Sequence, residues 1–174
     1  MTFRSAAACA ALLLLPMTAL GQTLLVEGVE SRRELDCAGR DVDINGFGHR
    51  VTLTGQCGTV SLHGSNQIVT LDSATRLVVT GAENSAKASG TLGALLVEGQ
   101  GHNVTGAMPE QAEKPVTVEV TGEGSVLDLV LNGRTRIVVA GARHKVLWSA
   151  RPGVPVPQGD IRGIGNVVER APQS

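Results

Sequence analysis

Three histidines, His49, His102 and His144, each stand three residues after a glycine that closes a short apolar motif. Imidazole is a common zinc ligand and proton-transfer group, so a column of histidines could bind a metal or relay protons. Asn takes the same place after Gly81 and Gly163. This exchange favours a structural role in which each side chain bonds the backbone of a turn. We therefore predict no metal site and no cofactor, and we expect His63, on an outward strand position, to be a single surface histidine.

Carboxylates gather around Cys37, at Asp36, Asp41 and Asp43. Calcium takes about 6–8 oxygen ligands, which is more than this segment offers. Asp41 and Asp43 are expected on one face of one strand, with no basic or aromatic side chain placed to hold a sugar beside them, so a glycosidase pair is not favoured. We predict a solvated acidic turn, no catalytic residue and no enzymatic activity.

Cys37 and Cys57 are the two cysteines outside the N-terminal apolar segment, which contains Cys9. Their separation is close to one repeat of the motif described next, so they are expected on adjacent rungs of a stacked array. Export into an oxidising compartment favours a disulfide between them. Free structural thiols and a redox pair are the alternatives, and the absence of a C-x-x-C spacing argues against the redox pair.

A motif of the form apolar-x-apolar-x-Gly organises the chain. It is clearest at Val42–Gly46, Val60–Gly64 and Leu77–Gly81, and it extends to Leu24–Gly28, Leu95–Gly99, Val118–Gly122, Ile137–Gly141 and, more weakly, Ile161–Gly163. The glycines are 18, 18, 17, 18, 23, 19 and 22 residues apart. A near-constant period indicates an array in which each unit buries its apolar face against its neighbours.

The repeat predicts an all-β chain, with helix excluded by frequent turn residues and by β-branched strands. We favour a β-solenoid of about 18 residues per unit, whose rungs stack in parallel at about 4.8 Å, because the same residue type recurs at the same place in each unit. The alternative is an antiparallel β-meander or sandwich, in which each glycine-centred turn is a hairpin. Alternation within the strands places Val, Ile and Leu inside.

Residues 1–21 are typical of a secretory signal peptide. Arg4 supplies the positive charge, an apolar run follows, and Ala19-Leu-Gly21 is a small-x-small cleavage site. Cleavage after Gly21 predicts a periplasmic or secreted protein with no membrane span in the mature chain. Residues 22–174 are then one β-repeat domain, with an insertion at 107–115 and a Pro-rich segment at 151–157.

Charge and composition narrow the partners. Removing residues 1–21 removes Arg4 as the one charged residue and lowers the net charge from −1 to −2. This balance gives no reason to expect nucleic acid as a partner. Phe47 and Trp148 are the two aromatic residues of the mature chain, which disfavours sugar-stacking sites and aromatic interaction hot spots.

Several motifs together resemble an exported bacterial family, the domain of unknown function 3060 family. They are Cys37-x-Gly39, Val42-x-Ile44-x-Gly46, Val51-Thr-Leu53-Thr-Gly55-Gln-Cys57, Val60-x-Leu62-x-Gly64-Ser-Asn66 and a closing Trp148 with Gly163-Ile-Gly165-Asn166-x-Val168. The resemblance covers most of residues 35–170. The insertion near 108–115 and a degenerate unit at 84–93 depart from the pattern. The resemblance implies export and fold, and it implies no activity or catalytic residue.

Val78, Leu96 and Val138 are expected to point outward at matching rung positions. Such an apolar stripe marks a surface for an envelope protein or for self-association, unless the insertion covers it or both faces of the wall are packed. We therefore predict a non-catalytic structural or protein-interaction module of the cell envelope. The alternative is a carbohydrate-binding or polysaccharide-processing solenoid. Residues 22–36 and 151–157 are expected to cap the two ends of the array.

Overall fold

The computed structural model describes residues 21–110 and 114–172. The predicted signal peptide therefore lies almost entirely outside the described residues, as does the middle of the insertion. The described residues form strands and turns, and they contain no helix long and apolar enough to cross a membrane. The fourteen strands are β1 Leu24–Val29, β2 Arg32–Asp36, β3 Val42–Phe47, β4 Arg50–Ser65, β5 Ile68–Ala82, β6 Ser85–Thr91, β7 Leu95–Gln100, β8 Asn103–Met108, β9 Val116–Glu123, β10 Val126–Leu131, β11 Thr135–Ala142, β12 Lys145–Ala150, β13 Gln158–Ile164 and β14 Val167–Arg170.

All strand pairs are parallel and join each unit to the next, so the chain winds as a β-solenoid of about eight coils. The predicted solenoid is confirmed, and the antiparallel alternative is wrong. The coils begin at residues 24, 42, 60, 77, 95, 116, 135 and 158. Parallel stacking places identical residue types one above another, which a hairpin array would not do.

Two walls enclose the core. Wall A comprises β1, β3, β7, β9, β11, β13 and the second halves of β4 and β5. Wall B comprises β2, β6, β8, β10, β12, β14 and the first halves of β4 and β5. Alternate side chains of both walls point inward and form one continuous apolar cluster. Each coil therefore buries its apolar residues against the coils on either side, as the repeat predicts.

The motif glycines form a ladder at the end of wall A. Each has a positive φ, for example 104° at Gly81 and 120° at Gly99. A Cβ at Gly81 would collide with the carbonyl oxygen of Gly64 in the preceding coil. Glycine is therefore required both by the backbone conformation and by the close approach of the coils.

In the degenerate unit at 84–93, a large side chain from the corner fills the core space that small inward residues leave empty. Leu53 and Leu71 of wall B are followed in the same inward column by the small residues Ala88 and Gly106. Leu92 is fully buried, and its side chain occupies the space that a Cβ on Gly106 would need. A residue from the corner of coil 4 thus replaces the bulk that the column lacks, which preserves close packing.

Only one of the two expected end caps lies at an end of the array. Residues 24–36 form β1 and β2 of the first coil, because Leu24 and Val26 continue the inward columns of wall A. The Pro-rich segment 151–157 lies between β12 and β13 and precedes the last coil. Pro115 of the insertion and Pro155 line the same depression of about 150 Å³, so the two proline segments meet beside coils 6 to 8. Ala107 and Met108, assigned to the insertion, lie at the end of β8.

Candidate functional site

The turn that follows wall A carries a buried column of polar side chains, here called the polar turn column. The predicted histidines lie in it, together with Asn84 and Asn166. It also contains three residues that the sequence reasoning missed, and its members in order are Ser31, His49, Gln67, Asn84, His102, Ser125, His144 and Asn166. From His49 to His144 these side chains are almost completely buried. The residue three places after each motif glycine is the signal that could have identified all of them.

Hydrogen bonds connect successive members of the polar turn column except His49 and Gln67, where the buried Gln67 Oε1 has no partner among the described residues. The backbone N–H of one coil donates to the side chain of the next, as in Ser31 to His49 Nδ1 (3.1 Å), Asn84 to His102 Nδ1 (3.3 Å) and His102 to Ser125 Oγ (3.4 Å). The side chains thereby satisfy backbone donors that the turn leaves without a strand partner. The predicted exchange of Asn and His as turn residues bonding local backbone is confirmed.

The same bonds set the tautomer of the buried histidines. Because Nδ1 of His102 accepts a hydrogen bond from the Asn84 N–H, Nε2 carries the ring proton and donates to the Glu98 carbonyl at 3.0 Å. His49 bonds the Asn45 carbonyl in the same way at 3.1 Å. Burial lowers the pKa of His102 below its usual 6.5, although its hydrogen bond to Glu98 opposes this shift. Both nitrogens of these two rings are occupied by backbone groups, and burial favours the neutral form of His102.

The histidines are not brought together. His49, His102 and His144 belong to coils 2, 5 and 7, whereas zinc needs its ligands within about 2.1 Å of one ion. In the described part of the chain, no group of three or more His, Cys, Asp or Glu side chains could hold a metal ion. His144 Nε2 is buried and has no hydrogen-bond partner among the described residues. His63 lies on the outer surface of wall A, between Asn45 and Thr80 as predicted, with Nδ1 2.7 Å from the Thr80 hydroxyl.

The acidic residues near Cys37 serve the corner that follows wall B. Asp41 accepts a hydrogen bond from the Thr59 N–H (2.6 Å), and Asp36 accepts one from Ala38 (3.0 Å). Asp72, two coils further on than Asp36, accepts one from Gly55 (2.8 Å). Asp41 directly precedes β3, which begins at Val42 and contains Asp43, so the two carboxylates do not share that strand as expected.

Cys37 and Cys57 lie in adjacent coils and are bonded to each other, with their Cα atoms 4.9 Å apart. Both are fully buried at the corner where wall B ends. Ala74 takes the place of Cys57 in coil 3, so the corner needs only a small side chain for packing. The bond therefore links coil 1 to coil 2, at the end of the array that has a neighbour on one side only.

Wall A places the three predicted surface residues in one outward column. Val78 pairs with Leu96, Leu96 with Glu119, and Glu119 with Val138. Val78, Leu96 and Val138 are half-exposed, whereas Glu119 is exposed. The stripe is therefore shorter than expected, because Glu119 separates Val138 from the adjacent pair Val78 and Leu96.

Wall B presents a second surface, which the sequence reasoning missed. Thr52 and Thr70 lie side by side, with their hydroxyl oxygens 3.3 Å apart, and line two neighbouring depressions of about 240 Å³ each. Arg50 borders one depression, and Lys87 and Asp72 border the other. The result is a shallow surface of mixed character, in which hydroxyl groups and both signs of charge lie beside apolar side chains such as Ile68. The sequence signal that could have identified this surface is the equivalent position of Thr52 and Thr70 in neighbouring coils.

Comparison with known proteins gives one match. The model of a protein family of unknown function, DUF3060, matches residues 44–87, about a quarter of the chain, which run from coil 2 into coil 4. The resemblance predicted from the sequence is thereby confirmed. The family's description attaches no activity to these residues. No curated protein and no solved structure gives a significant match.

Proposed function

We propose that this protein is exported by cleavage after Gly21 and acts as a non-catalytic interaction module of the cell envelope. The observation that carries the proposal is the outward pair Val78 and Leu96, two apolar side chains in register on a wall of parallel strands. A wall held by a ladder of backbone hydrogen bonds presents such side chains in a fixed array, so a partner binds without ordering the surface.

The role of the polar side chains supports a non-catalytic module. Asp41 uses its carboxylate to bond a backbone N–H, and His49 and His102 use both ring nitrogens for backbone groups. A general acid or base must instead offer a titratable atom to a substrate. Asp41, His49 and His102 are thus engaged in holding the turns, whereas His144 keeps one buried ring nitrogen without a partner among the described residues.

A photo-reactive amino acid at Leu96 tests the interaction surface in whole cells. We expect a defined cross-linked product on irradiation, because the wall A pair is in contact with its partner. The matched control is the same amino acid at Thr105, an outward half-exposed position on wall B of the same coil. Equal products at both positions, or none at Leu96, would contradict the proposal.

Export is tested separately by fractionation and intact-mass measurement. We expect the protein in the periplasm or the medium. Its intact mass should equal that of a chain beginning at Gln22. Cytoplasmic protein that retains residues 1–21 would contradict this part of the proposal.

A second candidate function is the binding of an envelope polysaccharide, and the hydroxyl and charged groups on wall B favour it. Sugars bind to hydroxyl and charged groups arranged in a shallow groove, and Thr52, Thr70 and Lys87 offer such groups. The test is retention of the protein on isolated cell-wall polysaccharide, with Arg50→Ser/Lys87→Ser as the variant. Lys145→Ser, which removes an exposed charge from wall B in coil 7, is the matched control. Retention that is the same for all three proteins would argue against a site here.

A further inference from the structure

Both ends of the solenoid leave a strand of wall A with one free edge. Among the described residues, β1 pairs with β3 alone and β13 pairs with β11 alone. Apolar residues lie on these end strands, where Val29 is 68% exposed and Ile164 is 81% exposed. A free edge with apolar side chains is a template for pairing with another strand.

The two end strands carry the same pattern in the same conformation. Continuing the register that joins all the coils places Gly163 of the last coil opposite Gly28 of a first coil. These two glycines have φ values of 106° and 109°, as elsewhere in the glycine ladder. The same register places Ile161 opposite Val26 and Ile164 opposite Val29. The first coil of one copy therefore matches the last coil of another copy in the same register that joins successive coils within one chain.

Charge and hydrogen bonding agree with that register. Arg162 of the last coil, which is also paired with Asp160 of its own strand, falls opposite Glu27 of the first and places opposite charges on neighbouring parallel strands. The Asn166 N–H has no acceptor among the described residues. It falls opposite the Ser31 side chain, the arrangement in which the His102 N–H donates to Ser125 Oγ at 3.4 Å. The polar turn column thus continues from one copy to the next.

We propose that a second copy of this chain is the partner of these ends, and that copies associate head to tail through β13 of one and β1 of the next. The contact joins two different surfaces at opposite ends of the solenoid axis, so it adds copies in a row along that axis. It goes beyond the proposed function, since it uses the ends of the array instead of the Val78 and Leu96 pair.

Wall B limits the strength of this contact. Arg33 occupies the inward position that Val51 holds in the next coil, and the shared register places Glu34 opposite Glu169. A charge at the position of an inward column and a like-charge pair are devices that restrain edge-to-edge association. The association is therefore weak and carried by wall A, and Glu34→Lys strengthens it by giving Glu169 an opposite charge.

A thiol cross-linking experiment on protein purified from the periplasm distinguishes the possible arrangements. The Val29→Cys protein is activated as a pyridyl disulfide and mixed with the Ile164→Cys protein, and release of the pyridyl group is followed by absorbance. We expect this pair to react at least about tenfold faster than Val29→Cys with Val156→Cys, because association raises the local thiol concentration. Val156 is 74% exposed but lies outside the shared register. Faster reaction of Val29→Cys with itself, or of Ile164→Cys with itself, would show a symmetric contact and overturn the proposal.

Sedimentation of charge variants gives an independent measurement over roughly 10 µM to 1 mM, the range of weak interfaces. We expect Glu27→Arg to weaken association about tenfold, combination with Arg162→Glu to restore it, and Glu34→Lys to strengthen it about fivefold. Val78→Asp/Leu96→Asp is the matched control and leaves the ends unchanged. Monomers at every concentration, or equal association of all four variants, would overturn head-to-tail stacking without bearing on the cross-link at Leu96.

Discussion

At the scale of single residues, two kinds of position hold the coils together at the end of wall A. The motif glycines allow the backbones of neighbouring coils to approach, and the polar turn column satisfies the donors of the turn that follows. Both kinds follow from what one residue type can do. Glycine alone adopts the positive φ without a Cβ that collides with the preceding coil. In the polar turn column, only a side chain with an acceptor atom can accept the hydrogen bond from the backbone N–H of the preceding coil.

Replacing Gly81 by alanine tests the glycine ladder. We expect a loss of about 1–3 kcal/mol in the free energy of unfolding from backbone strain alone, because the residue has a φ of 104° and its new Cβ meets the Gly64 carbonyl. Urea denaturation followed by circular dichroism measures the change. The matched control is Gly159→Ala, where the new Cβ meets nothing within 4 Å. A loss no larger for Gly81→Ala than for the control would contradict the ladder.

The buried His102 makes stability depend on pH. Its pKa is lowered from 6.5 in the folded protein by burial, so the unfolded chain takes up a proton at a higher pH than the folded chain does. The contribution to stability is therefore complete above about pH 6.5 and is lost as the pH falls through the folded pKa. We expect the decrease in unfolding free energy between about pH 7.5 and 5 to be smaller in His102→Asn.

The His102→Asn variant is informative because Asn84 shows that the polar turn column accepts Asn. Urea titrations at several pH values measure the effect. His63→Asn is the matched control, since it changes a histidine on the outer surface of wall A. A larger change of the pH slope in His63→Asn than in His102→Asn would count against this account.

At the scale of elements, coil 1 depends on its link to coil 2. It has a neighbour on one side only, and the bond between Cys37 and Cys57 fastens it there. We expect Cys37→Ala/Cys57→Ala to lower the free energy of unfolding by about 3 kcal/mol, since the bond closes a chain segment of about 20 residues in the unfolded state. Alanine fits the corner, as Ala74 does in coil 3.

Intact-mass measurement after alkylation, with and without reductant, verifies the bond before stability is compared. Periplasmic protein with two alkylatable thiols would contradict a disulfide. A double-alanine variant as stable as the parent would show that the bond does not restrain coil 1.

At the scale of the whole molecule, stability should vary along the axis, because each coil contacts only the coils next to it. The last coil has no disulfide and exposes Ile161 by 49%, although Val139 in the same column is fully buried. We expect backbone amides of coil 8 to exchange hydrogen faster than those of coils 3 to 6, and coil 1 to approach coil 8 only after reduction. Hydrogen exchange followed by mass spectrometry measures this order, and uniform protection along the chain would contradict it.

The sequence alone predicted the parallel solenoid, the period, the adjacent cysteines and the turn role of His49 and His102. It did so because stacked coils repeat the same local environment, and a repeated environment selects the same residue type at a fixed spacing. Positions whose role is local, such as the residue three places after each glycine, could therefore be identified without coordinates.

Tertiary structure decided what depends on neighbours in other coils. Strand pairing shows that Glu119 interrupts the outward column; the motif Val118–Gly122 already held it at the position of Leu96 and Val138, but the sequence reasoning compared only the apolar residues at that position. Leu92, at the corner of coil 4, fills the space beside Gly106 of coil 5. No periodic pattern in the sequence indicates this contact. The supposed caps proved to be the first coil and a corner, because only the complete strand pairing shows where the array ends. Local side-chain periodicity thus determines how one coil folds, whereas the register between coils determines which surfaces the molecule presents.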